Sequence, residues 1–119
     1  MENTKERINP LRITVAESGN TYELNFSRES VQFAERREFV VEDVLKFPQT
    51  KVPEFFYYAF RMNHKNLSRS QTDAILDKMG GLSPKVLERL MLLYNQAQMS
   101  NNLQDDEDLE KNGAVTVEM

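Results

Sequence analysis

The side chains that most often carry catalysis or bind metals are scarce in this sequence. Cysteine is absent, and the only histidine, His64, stands beside Asn63 and Lys65 with no further ligand near it. A thiolate nucleophile, a thiolate metal site and a disulfide framework are therefore excluded within this chain. A serine nucleophile needs a histidine base that is oriented by a third group, and His64 lacks that context. We expect His64 to cap a helix end or to lie at the surface.

Acidic residues and glycines are placed without a known binding pattern. The run Asp105–Asp108 lacks the turn glycine and the closing glutamate that a calcium loop of the EF-hand type requires. The four glycines, Gly19, Gly80, Gly81 and Gly113, form no phosphate-binding loop. We therefore expect no enzyme, no catalytic residue, no metal and no cofactor. The sequence leaves open whether two distant carboxylates meet in the fold and share acid–base chemistry.

Composition indicates one small domain that is not directed to membranes or nucleic acid. The chain has 119 residues and a formal net charge of −4, and no apolar run is long enough to cross a membrane. The charged N-terminus precedes no apolar segment, so no signal peptide is expected. Residues 100–119 hold six acidic residues against Lys111 alone. The rest of the chain is nearly neutral and shows no cluster of Lys and Arg, so neither nucleic acid nor a membrane is an expected partner.

Two alternating segments predict an N-terminal β-hairpin over about residues 11–26. Residues 11–16 and 21–26 alternate apolar and polar side chains, and residues 11–16 are also rich in β-branched residues. Gly19 and Asn20 suit the turn because both tolerate positive φ. The apolar face carries Leu11, Ile13, Val15, Tyr22, Leu24 and Phe26. An isolated hairpin is marginally stable, so this face must pack on helices or the strand edges must find other strands.

The first two helices are predicted from capping residues and apolar spacing. Ser27 is an N-cap, and the helix that follows should run from about Arg28 to about Phe39. The secondary structure of residues 40–47 is ambiguous. An acidic pair, Glu42-Asp43, favours a short helix there, and Pro48 should end that element.

An aromatic-rich helix is predicted to begin at Pro53, after a loop over residues 49–51. Four consecutive aromatic residues, Phe55 to Tyr58, raise the alternative of a surface that stacks on bases. The helical spacing favours core packing, since a single-strand binder also needs a basic groove.

The next helix carries a clear start and stop. Ser68 and Gln71 fit a capping box, and Gly80-Gly81 should end the helix in a left-handed cap. Its predicted inward residues are Ile75, Leu76 and Met79.

The helix over Leu82–Ala97 is the most apolar in the chain. Ser83 is the N-cap, and Pro84 takes the first helical position, where its missing N–H costs nothing. Met91 and Leu92 widen the apolar stripe well beyond one third of the circumference. Either other elements cover this excess and close a monomer core, or a partner covers it.

The fold class that follows is α+β and mainly α, with the hairpin packed on four to five helices. Residues 1–10 are predicted to be a flexible arm, residues 11–99 a single globular domain, and residues 100–119 a disordered acidic tail. Within the tail, Ala114–Val117 is a short apolar segment able to dock or to add a strand on a partner.

Several segments between residues 11 and 97 follow the order of packing and capping motifs of a known family. They are the hairpin, Phe26–Val31, Pro53–Phe60, Leu67–Leu76, Gly80–Leu82, Leu87–Leu90 and Leu93-Tyr94. In this order they resemble a tail assembly chaperone of long-tailed, siphovirus-like bacteriophages that infect Gram-positive bacteria.

The resemblance implies a non-catalytic protein that binds the tape measure protein and the major tail protein while the tail is built. It also implies a location in the host cytoplasm and absence from the mature virion. Two other functions stay open, namely a head–tail connector or tail-completion protein of the virion, and a small regulator. Association with a second copy of the chain also stays open. The residues that we expect to contact a partner are Phe55, Tyr58, Leu90, Met91, Leu92 and Tyr94.

Overall fold

The computed structural model of the chain describes residues 7–100, and within this range two strands precede five helices. The strands are β1 (Leu11–Thr14) and β2 (Thr21–Leu24), and the helices are α1 (Arg28–Arg36), α2 (Asp43–Lys46), α3 (Pro48–Phe60), α4 (Arg69–Met79) and α5 (Pro84–Ser100). The mainly helical α+β class with an N-terminal hairpin is thus confirmed. Of the predicted acidic tail, only the backbone of Ser100 lies within the described residues.

The hairpin packs its apolar face on the helices, as its alternation predicted. β1 and β2 are antiparallel, with Leu11 opposite Leu24 and Ile13 opposite Tyr22. Leu24 is fully buried, and the other apolar residues of this face are buried or half-buried against the core. The Tyr22 ring meets the edge of Phe60 on α3, with the ring centroids 5.5 Å apart.

Three serines begin helices as the sequence predicted. Ser27 Oγ accepts a hydrogen bond from the Ser30 N–H, and Ser68 Oγ accepts one from the Gln71 N–H, both at 3.2 Å. Each of these caps is reciprocated by the side chain of the third residue, which completes a capping box. Ser83 likewise accepts a hydrogen bond from the amide of α5 three residues on.

Helix α1 ends at Arg36, three residues earlier than predicted. Glu38 adopts a left-handed conformation with φ of 63°. This turn lets the Phe39 N–H donate to the Ala34 carbonyl at 3.1 Å, the six-to-one bond of a Schellman motif. Phe39 is thereby directed into the core, where only 4% of its surface stays exposed. The helix therefore ends before Phe39, the residue at which the apolar spacing predicted its end, because Phe39 is buried in the core instead.

Helix α3 begins at Pro48, so the predicted loop over residues 49–51 is wrong. Pro48, rather than Pro53, takes the first helical position, where a missing N–H leaves no carbonyl unpaired. Pro53 lies in the second turn and leaves only the Gln49 carbonyl without its helical donor. Gln49 is exposed, so water can satisfy that carbonyl at little cost.

The core is centred on aromatic rings from four parts of the chain. Phe55 on α3 lies nearly parallel to Phe26 and to Phe39, with ring centroids 5.3 and 5.6 Å away. Tyr94 on α5 meets all three rings edge-on at 5.1 to 5.8 Å. Aromatic pairs in these geometries contribute more stability than the burial of their apolar surface alone. The aromatic spacing of α3 thus serves core packing.

Candidate partner-binding surface

Four of the six residues expected to contact a partner lie inside the core. Phe55 and Tyr58 on α3 and Leu90 and Tyr94 on α5 are each at most 2% exposed. These four side chains hold the helices together and present no surface to another protein in this fold. The structure brings the aromatic members together, but as a core rather than as a binding face.

The other two predicted residues lie on the outer side of α5. Leu92 is 44% exposed, and Met91 is half-buried against the core. Met99, seven residues after Leu92, shares its side of the helix and is 49% exposed. We call Leu92 and Met99 the α5 stripe. This stripe is what remains of the apolar excess after the core is closed.

A larger exposed apolar surface lies on the segment that includes α2. Val40, Leu45 and Phe47 are 46%, 67% and 57% exposed, and we call these three residues the α2 patch. Leu45 and Phe47 are the two most exposed large apolar side chains among the described residues. Residues 40–47 were predicted as an ambiguous short helix, and that prediction did not include this patch.

The composition of this segment carries a signal that could have revealed the patch. Six of the nine residues 39–47 are apolar, more than a single short helix can bury on one side. The structure buries Phe39, Val41 and Val44. The remaining apolar side chains, those of the α2 patch, are therefore left on the outside.

Elsewhere a half-buried aromatic ring is covered by charged side chains. Phe33 on α1 is half-buried, and the guanidinium carbons of Arg37 and Arg61 lie 4.5 and 3.8 Å from its ring centroid. Such cation–π contacts place polar groups over an aromatic face. Phe47 has no cation placed over its ring in this way within residues 7–100, which distinguishes the α2 patch from the surface around Phe33.

Three titratable side chains, those of His64, Tyr58 and Tyr94, are held within the fold. His64 Nε2 accepts a hydrogen bond from the backbone N–H of Glu23 at 3.0 Å, so it is engaged with β2. The Tyr58 hydroxyl donates to Glu54 at 2.6 Å, and burial together with this carboxylate raises the pKa of Tyr58. Burial also raises the pKa of Tyr94 to about 12. Each shift favours the neutral phenol within the core.

The described part of the chain contains neither a metal-ligand cluster nor an unpaired buried polar side-chain atom. Residues 7–100 hold no group of three or more His, Asp or Glu side chains placed to bind a metal ion. Every buried side-chain nitrogen or oxygen in the same range has a hydrogen-bond partner. Exposed apolar surface is therefore the feature from which a function can be argued.

Comparison with known proteins places the whole chain within one family model. Residues 1–119 match a model described as a domain of unknown function, DUF5055. No curated protein and no solved structure matches the chain. Among the described residues, no helix combines the length and the apolar character needed to span a bilayer.

Proposed function

This chain belongs to the DUF5055 family, and from its own residues we propose that it is a non-catalytic protein that binds other proteins during assembly. The observation that carries the proposal is the α2 patch, Val40, Leu45 and Phe47, exposed on a chain whose core is already closed. Apolar side chains grouped at a surface favour contact with a partner.

The position of the patch suits a small docking site. Leu45 lies within α2 and Phe47 directly after it, so both side chains are anchored to a segment whose Val44 is fully buried. Leu45 and Phe47 are already one third or more buried, so a partner that buries the rest gains roughly 1–2 kcal/mol from each. The α5 stripe, Leu92 and Met99, provides a second and smaller apolar contact.

The more specific form of the proposal rests on the resemblance of residues 11–97 to phage tail assembly chaperones. In that role the chain binds the tape measure protein and the major tail protein in the host cytoplasm and leaves before the virion is complete. Exposed apolar surface suits this role, because it shields the apolar surface of a partner until assembly covers it.

The proposal is tested by co-expression with the tape measure protein and the major tail protein of the same phage. We expect the chain to co-purify with one or both partners. The double variant Leu45→Glu and Phe47→Glu should weaken binding by roughly 100-fold, because it removes about 3 kcal/mol of apolar burial. The affinity is measured by calorimetry on the purified components.

A control variant separates apolar contact from charge. Gln49→Glu and Thr50→Glu add the same two negative charges at neighbouring exposed positions and should leave binding unchanged. Failure of the wild-type chain to bind any fragment of either protein would exclude the chaperone function. Mass spectrometry of purified particles is the second test, and detection of the chain in stoichiometric amounts would favour the virion connector instead.

A further inference from the structure

The backbone of β1 presents an open strand edge. On β2, the Glu23 N–H donates to His64 Nε2 at 3.0 Å, and the Glu23 carbonyl accepts from Asn63 Nδ2 at 3.2 Å. The Glu23 backbone therefore points away from β1. Residues opposite one another in an antiparallel pair exchange both hydrogen bonds or neither. Arg12 lies opposite Glu23, so the backbone groups of Arg12, and of Thr14 two residues on, point outward from the free side of β1.

Among residues 7–100, hydrogen bonds cover the β2 edge of the hairpin but not the β1 edge. The end of α3 and the residues after it cover β2, where the Asn25 N–H also donates to the Ala59 carbonyl at 3.2 Å. On the β1 side, no group within residues 7–100 forms a hydrogen bond with the outward backbone of Arg12 or Thr14. A row of unpaired strand amides and carbonyls is a template for another strand.

An apolar groove of about 500 Å³ adjoins this open edge. Ile13 and Val15 line it from the hairpin, and Ile75 and Met79 line it from α4. Met79 was expected to point inward, but it is 39% exposed because it borders this groove. An ion pair between Glu17 and Lys78 joins the hairpin turn to α4 beside the groove and lowers the pKa of Glu17.

A strand added to β1 would place alternate side chains in this groove. Side chains of neighbouring strands at the same level point to the same face of a sheet. An incoming strand therefore needs apolar residues at every second position and β-branched residues in general. Ala114–Val117 has this pattern in its sequence, since Val115 and Val117 are two residues apart with Thr116 between them.

The connecting chain is long enough to bring this segment to β1. α5 ends at Ser100, and its 17 residues span about 25 Å. The groove lies beside Lys78 and Met79, just before the start of α5, so the return distance is about the length of that helix. The 13 residues 101–113 reach up to roughly 43 Å when extended.

Charge favours the same path. The Ile8 N–H donates to Gln96 Oε1 at 2.7 Å, and Arg89 donates to the Asn9 carbonyl at 3.3 Å. The chain that leads into β1 therefore lies along this side of α5. Lys85 lies one turn before Arg89 on the same side of the helix. The acidic run Asp105–Asp108 would pass these cations as it returns toward β1.

We infer that Ala114–Val117 of the same chain pairs with the open edge of β1 as a third strand. Val115 and Val117 occupy the groove between β1 and α4, and the outward amides of Arg12 and Thr14 bind the added backbone. This assignment does not depend on the proposed assembly partner, because it concerns a different surface from the α2 patch.

The test compares amide hydrogen exchange in the full chain and in a chain that ends at Gly113. We expect exchange of the Arg12 and Thr14 amides to be roughly tenfold faster in the shortened chain. The Ile13 amide is an internal control, because it points toward β2 and should exchange at the same rate in both proteins. Equal rates for Arg12 and Thr14 in the two proteins would overturn the inference.

Matched variants of the full chain separate the apolar segment from the rest of the C-terminal region. Val115→Asp with Val117→Asp should reproduce the effect of shortening. Leu103→Asp with Leu109→Asp adds the same charge outside the segment and should leave protection of the β1 edge in place. A dimer mass, together with protection of the Arg12 and Thr14 amides that is lost on dilution, would show that a second copy of the chain supplies the strand. That result would overturn pairing within one chain.

Discussion

Replacing Glu38 by glycine should stabilise the protein. Glu38 forms the turn that follows helix α1, and its φ of 63° lies in the left-handed region that residues with a β-carbon avoid. Glycine is the usual residue at this position of a Schellman motif, because it has no β-carbon to crowd the backbone. The Phe39 N–H bond to the Ala34 carbonyl and the burial of Phe39 fix this conformation, so the strain is present in the native state.

The expected gain in the free energy of unfolding combines two favourable effects and one unfavourable effect of similar size. A left-handed conformation costs a residue with a β-carbon about 1–2 kcal/mol. The greater freedom of glycine in the unfolded chain returns roughly 0.5–1 kcal/mol of that. Removing a carboxylate from the negative end of the α1 dipole adds about 0.3–1 kcal/mol. Glu38→Gly should therefore raise the free energy of unfolding by about 1 kcal/mol.

The assay is chemical and thermal unfolding of the variant beside a matched substitution three residues earlier. Glu35 lies in the last turn of α1 and has the same side chain, so Glu35→Gly loses the same charge but relieves no strain. It should therefore be less stable than Glu38→Gly by about 1–2 kcal/mol. For a domain of this size, 1 kcal/mol corresponds to a shift in Tm of about 4–8 °C. If both variants lose stability to the same extent, then Glu38 is not strained and the reasoning about the end of α1 is refuted.

Two further outcomes are expected. His64→Ala removes the acceptor of the Glu23 N–H, so it should cost about 1–2 kcal/mol and speed exchange of the Glu23 amide but not of the Leu24 amide. A loss of stability without that selective change would contradict the role of His64 at the edge of β2. Burial raises the pKa of Tyr94 to about 12 from an unfolded value near 10. The stability that neutral Tyr94 contributes is thus complete below about pH 10 and is lost as the pH rises toward 12. The free energy of unfolding of Tyr94→Phe, measured by urea titration, should therefore fall less steeply between about pH 10 and 12 than that of the wild type. Equal pH dependence in the two proteins would argue against the raised pKa of Tyr94.

Local sequence patterns predicted most helix starts correctly because the causes are local. A serine oxygen caps an amide two or three residues away, and Pro84 fixes its own φ, so these signals act without the rest of the fold. The same holds for the alternation of the hairpin. The end of α1 and the start of α3 were misplaced because burial of Phe39 and the choice between Pro48 and Pro53 depend on packing with distant elements.

The candidate surface was the part least accessible to sequence reasoning. The sequence correctly indicated an apolar excess on α5, but most of it closes the core and only Leu92 and Met99 stay exposed. The α2 patch was missed because the pattern of residues 39–47 fits no single helical face. Which three of its apolar residues turn inward is decided by their contact with the aromatic core.

Taken alone, the sequence determined the kinds of element, their order and most of their caps, since each depends on residues a few positions apart. It also excluded thiol chemistry outright, because the chain contains no cysteine. The tertiary structure decided which apolar side chains are buried and which edge of the hairpin the end of α3 covers. Both depend on residues far apart in the chain, such as His64 against Glu23, which only the folded chain brings within 3.0 Å of each other.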